Sequence, residues 1–113
     1  RVQGRTGPDR KRLLDGARAL EAAGCFSIVL EAIPPDLGGE ITGALSIPTI
    51  GIGAGPDCDG QVLVVNDILG YVEGRTPKFV RRYGDTRSVV AEAAAGYVRD
   101  VKEGDYPGEE ECY

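Results

Sequence analysis

Three short apolar runs constrain this chain most: residues 26–31 (FSIVLE), 47–53 (IPTIGIG) and 61–67 (QVLVVND). Runs of this length, rich in β-branched residues and bounded by Gly, Pro and Asp, predict strands. They are nearly continuous rather than alternating, which suits strands covered on both faces, as in a parallel sheet. Parallel neighbours need crossover connections, and helical patterns lie where crossovers would run. Residues 9–24 place Leu13, Leu14, Ala17 and Leu20 at helical spacing, with Asp9 as the expected N-cap and Gly24 as the stop. Pro35 opens a second pattern, with Leu37, Ile41, Ala44 and Leu45 on one face, although Gly38, Gly39 and Gly43 weaken it so that packing must hold it. Residues 54–60 read as a loop, and residues 68–84 as a loop with one short helix near Pro77–Val80. Residues 85–103 form a long amphipathic pattern, with Val89, Val90, Ala93, Tyr97, Val98 and Val101 on its expected buried side, ending near Gly104. The tail, residues 105–113, is acidic and expected on the surface. The class is α/β.

Residues 1–113 are short enough for a single domain. An apolar fraction of 42% suits a folded globular chain, and no apolar run approaches the roughly 20 residues of a membrane-spanning helix. Lys and Arg number 13 against 18 Asp and Glu, a formal charge of -5, which argues against a phosphate-neutralising nucleic-acid surface. A small molecule or another protein is the expected partner. Cys25, Cys58 and Cys112 lack the close spacing of a zinc or redox motif and read as free thiols in a reducing compartment; with no His in the chain, none has an activating base. The first residue is Arg1 rather than Met, and no signal-peptide core follows, so the sequence reads as a piece of a longer chain. Arg1, Arg5, Arg10, Lys11 and Arg12 form one basic cluster, and Arg75, Lys78, Arg81, Arg82 and Arg87 another. Solvated faces or subunit contacts account for such clusters better than an anion site does.

Chemistry in parallel α/β folds sits at the carboxyl ends of strands, here Glu31, residues 53–55 and Asp67. A carboxylate closing so apolar a strand is expected to be partly desolvated, which favours a general base; an N-cap or an ion pair with a nearby Arg is an equal alternative. The run Gly51-Ile52-Gly53-Ala54-Gly55 is like a phosphate loop, but Pro56, two Asp residues and Gly60 separate it from the next strand, where a dinucleotide fingerprint would open a helix. Tight packing is the better account of these glycines. Asp57, Asp59 and Asp67 lack calcium-loop spacing, and loop capping explains Asp57 and Asp59 better than a metal does.

Five blocks carry a resemblance: residues 28–34 (IVLEAIP), 47–55 (IPTIGIGAG), 58–64 (CDGQVLV), 77–80 (PKFV) and 106–110 (YPGEE). In order and spacing they closely resemble ketopantoate hydroxymethyltransferase, the 3-methyl-2-oxobutanoate hydroxymethyltransferase family of pantothenate biosynthesis. The resemblance implies a (β/α)₈ TIM barrel, similar to the phosphoenolpyruvate-binding barrels. It implies a magnesium ion that binds the 2-oxo acid, and 5,10-methylenetetrahydrofolate as one-carbon donor, with 2-dehydropantoate as product. Glu31 matches the glutamate that removes the C3 proton. Residues 49–53 and 61–65 would be the seventh and eighth strands, so Ile52 and Val64 face either the substrate's alkyl group or the barrel core.

A barrel needs about 250 residues, so the resemblance covers only a C-terminal portion, about three strands of eight. The family's magnesium ligands, with its substrate-contacting Lys and His, then belong to the absent upstream part, leaving no metal ligand in this segment. The segment alone is expected to be inactive, with an exposed sheet edge. The resemblance also implies a homo-oligomer, in the cytoplasm or, for a eukaryotic copy, the mitochondrion. A noncatalytic half-barrel that serves as an oligomerisation module through residues 85–103 is the alternative, and an anion-binding fragment using residues 51–55 a third.

Overall fold

A computed structural model describes residues 2–113; Arg1 of the first basic cluster lies outside them. The chain forms two compact units. One runs to Leu63 and takes in Pro77–Val80, and the other comprises Val64–Thr76 and Arg81–Tyr113. Among the described residues no helix is long and apolar enough to cross a membrane.

In the first unit, helix α1 spans Gly7–Ala22. Its N-cap is Thr6 rather than the expected Asp9: the Asp9 N–H donates to Thr6 Oγ1 at 3.4 Å, and Pro8 fits the first turn, where no N–H is needed. Asp9 thus lies inside the first turn, with its negative charge near the positive end of the helix dipole. Beyond the helix end, Gly24 turns left-handed (φ +93°), the stop that the sequence predicts. Strand β1 spans Ile28–Glu31, helix α2 Pro35–Ala44, strand β2 Thr49–Ile52 and strand β3 Gly60–Gln61. The sheet is parallel with order β1-β2-β3.

The strands are shorter than the apolar runs. Phe26 is 87% exposed ahead of β1. The third run, read as a strand over residues 61–67, pairs only through Gln61 and one further bond from the Val62 N–H to the Gly51 carbonyl at 3.0 Å. Past Ile52 the neighbouring chain turns left-handed at Gly53 (φ +71°), so a longer β3 would have no ladder to join. Near Pro77–Val80 there is a turn closed by the Val80 N–H on the Pro77 carbonyl, not a helix.

The sheet is covered on one face rather than two. Ile28 and Leu30 of β1 pack with Ala17 of α1, Leu37 and Ile41 of α2, Ile33 and Ala54, while Val29 on the opposite face is 60% exposed. Of the three glycines of α2, Gly38 sits where packing holds the helix: a methyl there would fall 2.2 Å from the Ala54 carbonyl oxygen. At the surface, Arg10 spans Asp36 (2.7 Å) and Glu40 (2.9 Å), joining α1 to α2. Its hydrogen bond holds the Asp36 carboxyl below the usual carboxylate range, and the two acids hold Arg10 above its own. At the other end of α1, the Glu21 carboxylate accepts from the Ser46 N–H and Oγ, both at 2.7 Å, and from the Ile47 N–H at 3.2 Å, fixing the entry to β2.

In the second unit, helix α3 spans Val65–Ile68 and helix α4 Thr86–Glu103. Asp85 caps α4, accepting from the Ser88 N–H (3.4 Å) and Oγ (2.7 Å), and Gly104 (φ +82°) ends it, as the sequence predicts. The expected apolar face is present but not buried: Val89 is 64% exposed, Tyr97 58% and Val101 46%. Arg87 of the second basic cluster pairs with Glu73 at 2.6 Å. In the tail, Tyr106 meets Tyr97 edge to face with ring centroids 5.3 Å apart.

Candidate active site

The carboxyl ends of β1 and β2 bring together Glu31, Ile52 and the loop at residues 53–55. Register pairs Glu31 with Ile52 and Val29 with Ile50. These four share the open face, because alternation along each strand sends Leu30 and Gly51 to the covered one. Glu31 is exposed rather than partly desolvated as expected. Among the described residues, no hydrogen bond or ion pair reaches its carboxylate, and α2, the next helix, has no side-chain cap.

Immediately after Glu31, Ala32 adopts a left-handed conformation (φ +51°), alone among the described non-glycine residues. Its N–H donates to the Ile52 carbonyl at 3.0 Å, and its carbonyl accepts from the Gln3 N–H at 3.1 Å. This turn was not legible in the sequence, because no residue-type signal marks an alanine with positive φ.

The glycine loop is a packing device. A methyl at Gly53 would fall 2.4 Å from the Phe79 ring, and one at Gly55 2.5 Å from Pro35, and both positions have positive φ. Ala32, Pro35, Gly53, Gly55, Lys78 and Phe79 line a largely apolar cavity of about 450 Å³ on this side. A second cavity, of about 540 Å³, follows the β1 edge beside α1, with Leu13, Ala17, Leu30 and Glu31 in its wall.

The remaining candidates fall elsewhere. Asp59 does not cap its own loop but reaches to Thr49, accepting from its N–H at 2.8 Å and Oγ1 at 3.2 Å. No side-chain hydrogen bond involves Asp57 among the described residues; its side chain packs against Gly39. Asp67 and Val64, expected in a third strand, lie within α3 and at its N-cap, in the second unit. Cys25, Cys58 and Cys112 are free. Among the described residues no three His, Cys, Asp or Glu side chains converge as a metal set, so the residues present do not fit the implied magnesium ion.

Residues 1–109 match the ketopantoate hydroxymethyltransferase family. The chain belongs to that family. It is 56% identical over 109 residues to the 3-methyl-2-oxobutanoate hydroxymethyltransferase of Geobacter sulfurreducens, covering 96% of this chain and 41% of that protein. The Pelobacter propionicus protein of the same name is 55% identical over 113 residues, covering 100% and 42%. The Bradyrhizobium diazoefficiens protein named 3-methyl-2-oxobutanoate hydroxymethyltransferase 2 is 53% identical, covering 100% and 39%. The chain thus spans about two fifths of the length of the curated relatives it matches.

Proposed function

We propose that this chain supplies the C-terminal part of a 3-methyl-2-oxobutanoate hydroxymethyltransferase, with Glu31 as the base that removes the C3 proton of the 2-oxo acid. The observation that carries the reading is the setting of Glu31: an exposed carboxylate at the carboxyl end of a parallel strand, with no side-chain partner among the described residues, in a chain of this family. A base must have its lone pairs free and must face the space where substrate sits. In the whole enzyme residues 1–113 belong to a single domain, and β1 to β3 belong to the last strands of a (β/α)₈ TIM barrel whose interior is the face shared by Val29, Glu31, Ile50 and Ile52. The apolar cavity along the β1 edge takes the preceding barrel element, and the upstream part of the barrel closes the open face around Glu31.

Glu31 takes the C3 proton; water releases the one-carbon unit of 5,10-methylenetetrahydrofolate at the formaldehyde level, tetrahydrofolate leaves, and C3 of the enolate bonds to that carbon, whose oxygen takes up a proton to give 2-dehydropantoate. Ile52, the register partner of Glu31, contacts the branched alkyl group. Val64 is a weaker candidate for the same role, because it heads a helix rather than a strand. Magnesium and its ligands belong to the upstream part. The chain alone is inactive in this reading. Joining it to the upstream part of the Geobacter sulfurreducens relative, in place of the matching segment, restores formation of 2-dehydropantoate; a folded full-length chimera without that activity contradicts the proposal.

The exposed apolar face of α4 favours a second role for the same chain. It supports a self-association surface in a cytoplasmic or mitochondrial homo-oligomer. Sedimentation of the chimera as a concentration-independent monomer contradicts that role.

A further inference from the structure

We infer that Ala32 is a positioning residue for Glu31, an inference that rests on the reading of Glu31 as the base. Along β1, alternation puts Ile28 and Leu30 on the covered face and Val29 and Glu31 on the open one. Continued extension would send Ile33, two residues after Glu31, to the open face as well. Ile33 is instead 7% exposed and joins the core with Leu30 and Leu37. The left-handed turn at Ala32 breaks the alternation and lets both neighbours take their places. Its backbone is tied on two sides, to Ile52 of β2 and to Gln3 ahead of α1. Residues other than glycine rarely adopt this conformation, and β-branched ones least of all. Glu31 is thereby anchored by the ladder bond of the next residue and by the buried Ile33 two residues on.

The test is a series at position 32 in the full-length chimera, following C3-proton exchange of 3-methyl-2-oxobutanoate by NMR. Ala32→Gly and Ala32→Asn accept positive φ and keep the parent exchange rate. Ala32→Val forces the strand to continue and lowers kcat for exchange about 100-fold with KM unchanged, the scale of loss that a misplaced reacting group produces. A merely structural role would lower thermal stability and leave kcat of the folded protein intact. Parent-level kcat in folded Ala32→Val, or equal losses in the Gly, Asn and Val variants, overturns the inference. If Ala32→Val does not fold, Gln3→Pro, which deletes the N–H that holds the Ala32 carbonyl at an exposed position, slows exchange, and parent-level exchange there overturns it. Glu31→Gln run in parallel separates the two readings: parent-level exchange in that variant refutes the base itself, whereas loss there with parent-level exchange in folded Ala32→Val refutes only the positioning.

Discussion

Thr49 and Asp59 hold each other through three hydrogen bonds: the Asp59 carboxylate accepts from the Thr49 N–H and Oγ1, and the Asp59 N–H donates to Thr49 Oγ1 at 3.3 Å. Thr49 is fully buried at the start of β2, and its hydroxyl also lies 2.8 Å from that of Thr42. Thr49→Val preserves shape but removes the hydroxyl that bonds Asp59 and lies against Thr42, so it destabilises the chain by about 1 kcal/mol, the net worth of a hydrogen bond. Denaturant unfolding measures the loss; a change below about 0.5 kcal/mol, the range of neutral surface substitutions, contradicts this role for the network.

Gly53 and Gly43 respond oppositely to the same substitution. Gly53→Ala puts a methyl 2.4 Å from the Phe79 ring at a position with φ +71° and destabilises by about 2–4 kcal/mol, as overpacking and a disfavoured φ combine. Gly43, inside α2, has nothing within 4 Å of the added methyl, so Gly43→Ala stabilises by about 0.5–1 kcal/mol. Thermal melts of the two variants give shifts of opposite sign.

Stability also depends on acid through Glu21. Hydrogen bonds from the Ser46 hydroxyl and amide hold its carboxyl below the ordinary value of 4.5. A carboxylate depressed in the folded state contributes stability that is fully present above its unfolded pKa and lost as pH falls through the folded one. Asp36 and Asp85, held low by Arg10 and by Ser88, act in the same direction below 3.8. Glu21→Gln therefore lowers the melting temperature near neutral pH, and its deficit shrinks as pH drops below 4.5. A deficit that stays constant with pH contradicts the assignment.

Much of this arrangement is legible in the sequence because it follows from local rules. The amphipathic pattern over residues 85–103 gives α4, which begins one residue later because Asp85 caps it, and Gly104 stops it. Pro35 marks the start of α2, and the β-branched run at residues 28–31 gives β1. Other features depend on neighbours. The run at residues 61–67 has strand-like composition but loses its ladder where β2 ends at Ile52. Thr6 displaces Asp9 as cap because the helix can begin at Gly7 and accommodate Pro8. Val29 of the sheet and Val89, Tyr97 and Val101 of α4, which composition marks as buried, are exposed, because an apolar pattern does not say which surface a partner covers. Glu31 stands out as a carboxylate ending an apolar strand, while the turn at Ala32 that follows it has no signature in residue type.

The most direct measurement is NMR-detected exchange of the C3 proton of 3-methyl-2-oxobutanoate into deuterium oxide by the folded full-length chimera, with Glu31 intact and as Glu31→Gln. No folate is needed, so proton removal is read apart from one-carbon transfer. If Glu31 is the base, the substitution slows exchange by about 10²–10⁴-fold, the usual worth of a positioned base, with folding and oligomeric state unchanged. Exchange at the parent rate in Glu31→Gln contradicts the central claim.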